Sequence, residues 1–445
     1  MKGVAFLTQD TDKLVLDNGL TVIVKEFKPS SVINLAVWVK VGSVNEDECN
    51  AGVSHYIEHM LFKGTKKRKV GEIAKEIHSV GGYLNAFTHF ECTCYWIVLP
   101  SRFLDTALDV QADAIINPLF ERLELIKEKK VILEELKMYE DRPESFCFEK
   151  LMELAYLSHN YRRPIIGYEN SLNRMKREDI VDYYNTYYQP GNMVVTLVGD
   201  VRKEEGISKI SKIFSKMRPK PLNVQISVPE PTQKRFKQVE YFGDIQRTHV
   251  QFAFHIPYSL HNDLPACRVL AAILGEGRSS RLFRSLKEVH RVVDSVESGV
   301  FSEKDPGLLY IGTVLDTKKI SKMDLLLWKE IKKVQNELIS GAELSKVQHM
   351  LESYYVFSQE TVEGQGRILG FYELLGDYGM AGKYLERIYS VTREDVKRVA
   401  CKYLCVENSS EIIYNPKTAN KRDLEQFGAA ASRLKISGAL RGCHL

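Results

Sequence analysis

The sequence predicts an α+β protein made of two homologous domains, each a mainly antiparallel sheet with helices packed on one face. Two observations carry this expectation. Strand-like and helix-like runs fall in blocks rather than in strict alternation, which disfavours a parallel βαβ sheet. The order of those runs also recurs after about 215 residues, far beyond a solenoid period, so the repeated unit is a whole domain.

Residues 14–24 read as strand, turn and strand, with Asp17-Asn18-Gly19 at the turn. Residues 33–41 form a longer apolar strand. Helical patterning begins near Ala51 and returns over 70–80, where Gly81-Gly82 breaks it ahead of a strand over 92–99. Helices dominate from Arg102 to about Glu140, another follows Arg177-Glu178-Asp179, and Gln189-Pro190-Gly191-Asn192 turns the chain into a strand over 193–198. Pro219, Pro221, Pro229 and Pro231 then interrupt any period, so 218–235 is taken as a linker between a first domain, 1–217, and a second, 236–445. Beyond it, 248–256 echoes the strand 33–41, and the strand 309–314 with the helix through Ile331 echoes 95–115. The closing units match best, Arg177-Glu178-Asp179-Ile180 against Arg393-Glu394-Asp395-Val396.

A chain of 445 residues is long enough for two cores, and so for an enclosed site. Its 62 basic and 58 acidic residues nearly balance and are scattered, which excludes a nucleic-acid-binding tail as the main theme. The short basic run Lys66-Lys67-Arg68-Lys69 is read as a solvated loop. The first ten residues lack the features of a secretory or transit peptide, and no run approaches the roughly 18 apolar residues of a membrane span, so a cytoplasmic protein without membrane insertion is expected. Eight thinly spread cysteines suit reduced thiols, and Cys92 and Cys94 read as small apolar residues on one strand face. His89 and His255 sit in strand-like segments and are read as ordinary packed or surface residues; Cys443 and His444 belong to a terminus given no metal role.

One five-residue pattern, His55-Tyr56-Ile57-Glu58-His59, carries chemistry. On a helix, His55 and His59 at i and i+4 project from one face and can share a metal ion. Glu58 lies on the same side, placed to take a proton from a water beside that ion. A third protein ligand is needed, and residues 131–136 offer two adjacent carboxylates, Glu134 and Glu135. Leu125, Glu128, Ile132, Glu135 and Tyr139 follow the 3-4 spacing of an inward helical stripe, whereas Glu134 shares its side with Lys127, Lys130 and Lys137. Glu135 is therefore the expected third ligand. Glu128, on the same stripe, is assigned a supporting catalytic role, either hydrogen-bonding a ligand histidine or aiding proton transfer. Two imidazoles and one carboxylate suit zinc.

Over nearly its whole length the chain resembles the inverted-motif zinc peptidases that include the mitochondrial processing peptidases, pitrilysin and insulysin. The resemblance rests on residues 52–65 around the motif, on Gly81-Gly82-Tyr83-Leu84-Asn85-Ala86-Phe87-Thr88, on the position of Glu135, and on Ser279-Ser280-Arg281-Leu282 in the second half. It implies hydrolysis of peptides or unfolded polypeptides, a metal site in the first domain alone, and substrate backbone held along an edge strand by Asn85, Ala86 and Phe87. The counterpart segment 263–275 has neither ligand histidine nor base, in keeping with this. A chamber of four such domains is also implied, so a two-domain chain would pair with a homologous subunit, as a homodimer or a heterodimer. Where the family places an active-site Arg and Tyr seven apart, this chain has Lys287 and Asp294, which points to a heterodimer in which the partner supplies them. The rival expectations are a non-catalytic assembly subunit and a metal-dependent hydrolase of some other substrate.

Overall fold

The protein is described here from a computed structural model covering residues 7–221 and 228–417. Part of the expected linker, residues 1–6, Cys443 and His444 lie outside the described residues. In chain order the first half contains β1 (Thr11–Val15), β2 (Thr21–Glu26), β3 (Val32–Val39), α1 (Val53–Met60), α2 (Glu72–Ser79), β4 (Tyr83–Thr88) and β5 (Thr93–Pro100). It continues with α3 (Leu104–Ile116), α4 (Arg122–Glu140), α5 (Pro143–Ala155), α6 (Glu169–Arg174), α7 (Arg177–Tyr187), β6 (Met193–Gly199) and α8 (Lys203–Phe214). The second half contains β7 (Lys237–Gly243), β8 (Thr248–Ile256), α9 (Leu264–Gly275), β9 (Val293–Phe301), β10 (Gly307–Leu315), α10 (Ile320–Asn336) and α11 (Gly341–Ser358). It closes with α12 (Val362–Leu374), α13 (Tyr384–Tyr389), α14 (Arg393–Tyr403) and β11 (Ser409–Pro416).

Two sheets result, ordered β1-β2-β6-β3-β5-β4 and β7-β11-β8-β10-β9. Apart from the extra strand β1, the two orders superpose, with β3 standing for β8, β6 for β11, β5 for β10 and β4 for β9. In each sheet a single pair is parallel, β2 with β6 and β7 with β11, and every other pair is antiparallel. The fold is therefore two homologous α+β domains with mainly antiparallel sheets, and the repeat seen in the sequence is a repeat of topology.

Strand alternation decides what each sheet face meets. On β3, Ile33, Leu35, Val37 and Val39 join the apolar core shared with α1, α3, α4, α7 and α8, while Ala36 and Trp38 face the opposite way. That second face is covered by α12, a helix from the other half of the sequence. The reverse holds for the second sheet. Phe254 of β8 packs on Trp328 of α10, while on the opposite face His255 Nε2 lies 3.1 Å from the Ala155 carbonyl of α5, a helix of the first half. Compact units thus combine Met1–Met138, His159–Val228 and Ser353–Tyr384 in one and Tyr139–Ser158, Pro229–Glu352 and Leu385–Leu445 in the other. Helices on both faces, one of them exchanged, add to the one-sided helical layer read from the sequence.

Buried Cys92 and Cys94 lie in the second-face core of the first sheet, as small apolar residues do. The basic run departs from a solvated loop at one position. Arg68 is buried and gathers Glu76, Asp109 and Asp113 around its guanidinium, with Lys67 also on Asp109. The charge of Arg68 is neutralised internally, a tertiary effect that the run of four cations does not disclose.

Close packing of α12 on the first sheet depends on glycine. A Cβ at Gly370 would sit inside the Trp38 indole, and one at Gly366 would meet Asn34 Oδ1. Replacing Gly370 with Val is expected to destabilise this unit by about 1–3 kcal/mol through overpacking, read as a lowered midpoint in thermal unfolding; an unchanged midpoint would show that α12 is not seated this closely.

Candidate metal centre

The helix α1 has eight residues, short of the roughly 12–15 at which an isolated helix becomes marginally stable in water. Tertiary contacts must therefore hold it. At its start, Gly52 adopts φ 93°, and the Gly52 and Ser54 amides donate to Glu46 Oε2 and Oε1 at 2.7 and 2.8 Å. This carboxyl group accepts amides that the first helical turn leaves open. On the inward face, Val53, Ile57 and Met60 join the apolar core, and the Tyr56 hydroxyl donates to the Leu125 carbonyl of α4. The two helices are thereby pinned beside His55 on α1 and nearly three turns before Glu135 on α4.

His55 and His59 project from α1 with ring centroids 4.7 Å apart. Glu135 Oε2, from α4, lies 3.8 Å from His55 Nε2 and 3.5 Å from His59 Nε2. Among the described residues these three form a group whose ligand atoms all lie within 4.8 Å of one another, the arrangement of a three-ligand metal site. Its donor chemistry fits zinc. Burial, with the neighbouring His59 next, pushes His55 down to about 4, so its imidazole is a neutral lone-pair donor at pH 7. Hydrogen bonding from His59 holds the Glu135 carboxyl below its usual range, keeping it anionic. For His59 burial pulls downward, but Glu135 and Glu128 outweigh it and the net shift is upward.

Glu128 stands behind His59. Its Oε2 lies 3.2 Å from His59 Nδ1, and its Oε1 takes Lys63 Nζ at 2.7 Å. A carboxylate on Nδ1 fixes the tautomer that presents Nε2 to a metal. Glu58, half-buried, receives the Thr88 hydroxyl on Oε2 at 2.8 Å, and desolvation raises its carboxyl above the usual range. Asn85, Ala86 and Phe87 lie on β4, which among the described residues pairs with β5 alone and leaves an open edge; Asn85 Oδ1 accepts the Ala86 amide at 2.9 Å.

The inward stripe of α4 holds through Leu125, Glu128, Ile132 and Glu135, but its last expected member, Tyr139, is exposed. Glu134 faces solvent in a 2.8 Å pair with Lys137, as its spacing predicts. In the second half, Asp294 is gripped by Arg247 at 2.6 and 2.8 Å, and Lys287 Nζ lies 5.3 Å from the Phe283 ring centroid. Arg281 of the second-half signature makes a two-pronged pair with Glu343. His255 accepts a structural role through the Ala155 carbonyl, and His89 is held below its usual range by burial. Sequence reasoning missed Glu46, Lys63 and Thr88, because each acts on a residue brought near by the fold with no periodic signal; the i, i+4 spacing of His59 and Lys63 is the one local hint.

Comparison with known proteins agrees with this geometry. Residues 21–169 match the family model described as insulinase (peptidase family M16), and residues 174–351 match that of the peptidase M16 inactive domain. An uncharacterized zinc protease of Rickettsia felis is 29% identical over 412 residues, spanning 89% of this chain and 96% of that protein. The uncharacterized zinc protease YmxG of Bacillus subtilis is 28% identical over 385 residues, spanning 86% and 93%. The crystal structure of a protease from Helicobacter pylori matches with a TM-score of 0.87 at 25% identity, covering 91% of this chain and 99% of that one.

Glu46 is buried, and burial pushes its carboxyl up to about 7 against the two amide hydrogen bonds. The folded state therefore holds this proton more tightly than the unfolded chain, whose carboxyl releases it near 4.5. Stability from this group is fully present below about pH 4.5 and is lost as pH rises to about 7, a change on the order of 3 kcal/mol. In Glu46→Gln that segment of a stability-versus-pH curve is expected to flatten, measured by urea unfolding between pH 4.5 and 8; an unaltered slope contradicts the assignment.

Proposed function

The chain belongs to the insulinase family of peptidases, family M16, and from that premise we propose that it cleaves peptides or unfolded polypeptides with Glu58 as general base beside a zinc ion held by His55, His59 and Glu135. That it is a zinc-dependent metallopeptidase follows from the family; the assignment of roles is the present reading. The observation that carries it is the meeting of Glu135 Oε2 with both histidine Nε2 atoms while Glu58 lies on the same helix as the histidines, its Oε2 on the Thr88 hydroxyl.

Zinc in that set supplies Lewis-acid activation of water and of the scissile carbonyl. The remaining work falls to side chains of the chain. Glu58, held at Oε2 by the Thr88 hydroxyl, takes the proton from the attacking water and passes it to the departing amine nitrogen. Glu128 keeps His59 oriented and is itself neutralised by Lys63, so its part is positioning rather than proton transfer. Substrate lies along the open edge of β4, where Asn85 and the backbone of Ala86 and Phe87 meet an extended chain by strand addition.

The Arg and Tyr roles implied by the family resemblance are assigned to a homologous partner subunit. Support comes from Asp294, whose carboxylate is committed to Arg247 and cannot donate to an oxyanion as a phenol does. Cys49, Cys94, Cys147 and Cys267 are free thiols, which supports the reducing, cytoplasmic setting included in this proposal. No helix among the described residues is long and apolar enough to cross a membrane.

Purified chain is expected to bind about one zinc ion and, once a homologous partner is present, to cleave a quenched-peptide library. Under the same conditions Glu58→Gln is expected to keep its zinc and lose at least about a hundredfold in kcat. Cleavage by Glu58→Gln at the wild-type rate would overturn the role of Glu58, and full activity of the unpartnered chain would overturn the divided site.

A further inference from the structure

We infer that Thr88 is a positioning residue that registers the general base Glu58 to the strand along which substrate is laid. This rests on the proposed peptidase function and adds to it a residue that neither the metal motif nor the strand segment assigns. Thr88 is the last residue of β4, and its hydroxyl donates to Glu58 Oε2 at 2.8 Å.

The alternation of β4 makes this contact informative. Leu84 and Ala86 pack against the core shared with α1, and Phe87 packs on the opposite face against Trp38 and Trp96. Position 88 therefore continues the row of Leu84 and Ala86, and an apolar residue there would suit packing. A hydroxyl stands instead, at the point where the row runs past the base.

Two consequences follow. A carboxylate tied by a neighbouring hydroxyl samples fewer orientations, so the base meets water in a restricted geometry. Because the tie comes from the substrate-bearing edge strand, a peptide added along β4 is placed in fixed register with the Glu58 carboxylate. Losing the tie leaves zinc ligation and strand addition intact but lets the base sample other orientations, a fault in the chemical step rather than in binding.

Thr88→Val keeps the shape and removes the hydroxyl; Thr88→Ser keeps the hydroxyl and removes the methyl. With the partnered wild type cleaving a defined peptide, Thr88→Val is expected to lower kcat about tenfold with KM and zinc content unchanged, and Thr88→Ser to restore most of the rate. Wild-type kcat in Thr88→Val overturns the inference and leaves the peptidase reading standing. Loss of zinc or an early unfolding midpoint in Thr88→Val, or failure of Thr88→Ser to rescue, reassigns Thr88 to structural support. A zinc-loaded wild type that cleaves no peptide removes both the inference and the reading beneath it.

Discussion

His55, His59 and Glu58, the proposed ligands and base, sit on a helix of eight residues, so the site is only as well defined as the forces that keep this helix from fraying. Glu46 closes its first turn, the core side of Val53, Ile57 and Met60 fixes its rotation, and Tyr56 ties it to α4 at the Leu125 carbonyl. Once those contacts hold, the position of Glu135 is set by helical period: Leu125 and Glu135 are ten residues apart on one rigid element, and Ile132 buries the stretch between them. The metal centre is in this sense a consequence of packing two helices, with the polar residues taking the positions that the packing leaves facing one another.

The duplicated halves differ at the helix that carries the candidate site, and among the described residues the metal-ligating cluster lies in the first half. The two sheets share strand order, and α9 follows β8 as α1 follows β3. Yet α9 is an almost continuous run of buried apolar residues, Val269 to Leu274 among them, where α1 presents histidines and a glutamate. A helix free of ligands can be buried all round; one that holds a metal must keep a polar face open. Exchange of α5 and α12 gives each sheet a cover on its second face and makes each compact unit depend on sequence from both halves of the chain.

Much of this was legible in the sequence because it rests on short-range periodicity. The i, i+4 histidines, the i+3 glutamate and the 3-4 stripe that separates Glu135 from Glu134 are helical facts, and the duplicated strand order is visible as recurring apolar runs. The exchange of α5 and α12 was not, since nothing in the pattern of a helix says which sheet it will cover; Gly366 and Gly370 look like helix weakeners until Asn34 and Trp38 are seen beneath them. Glu46, Lys63 and Thr88 escaped for a related reason. Each is a polar residue whose partner is fixed by tertiary approach, and Arg68 shows the converse, a cation in a basic run that the fold turns inward to meet three carboxylates.

In the proposed site His55, His59 and Glu135 together hold the metal, with Glu58 and Glu128 outside the ligand set. Anomalous diffraction at the zinc edge from crystals of the zinc-loaded protein tests this directly. One peak is expected at about 2.0–2.2 Å from His55 Nε2, His59 Nε2 and a Glu135 carboxylate oxygen. A peak that takes Glu58 or Glu128 as a ligand in place of Glu135, or that lies away from this group, would contradict it.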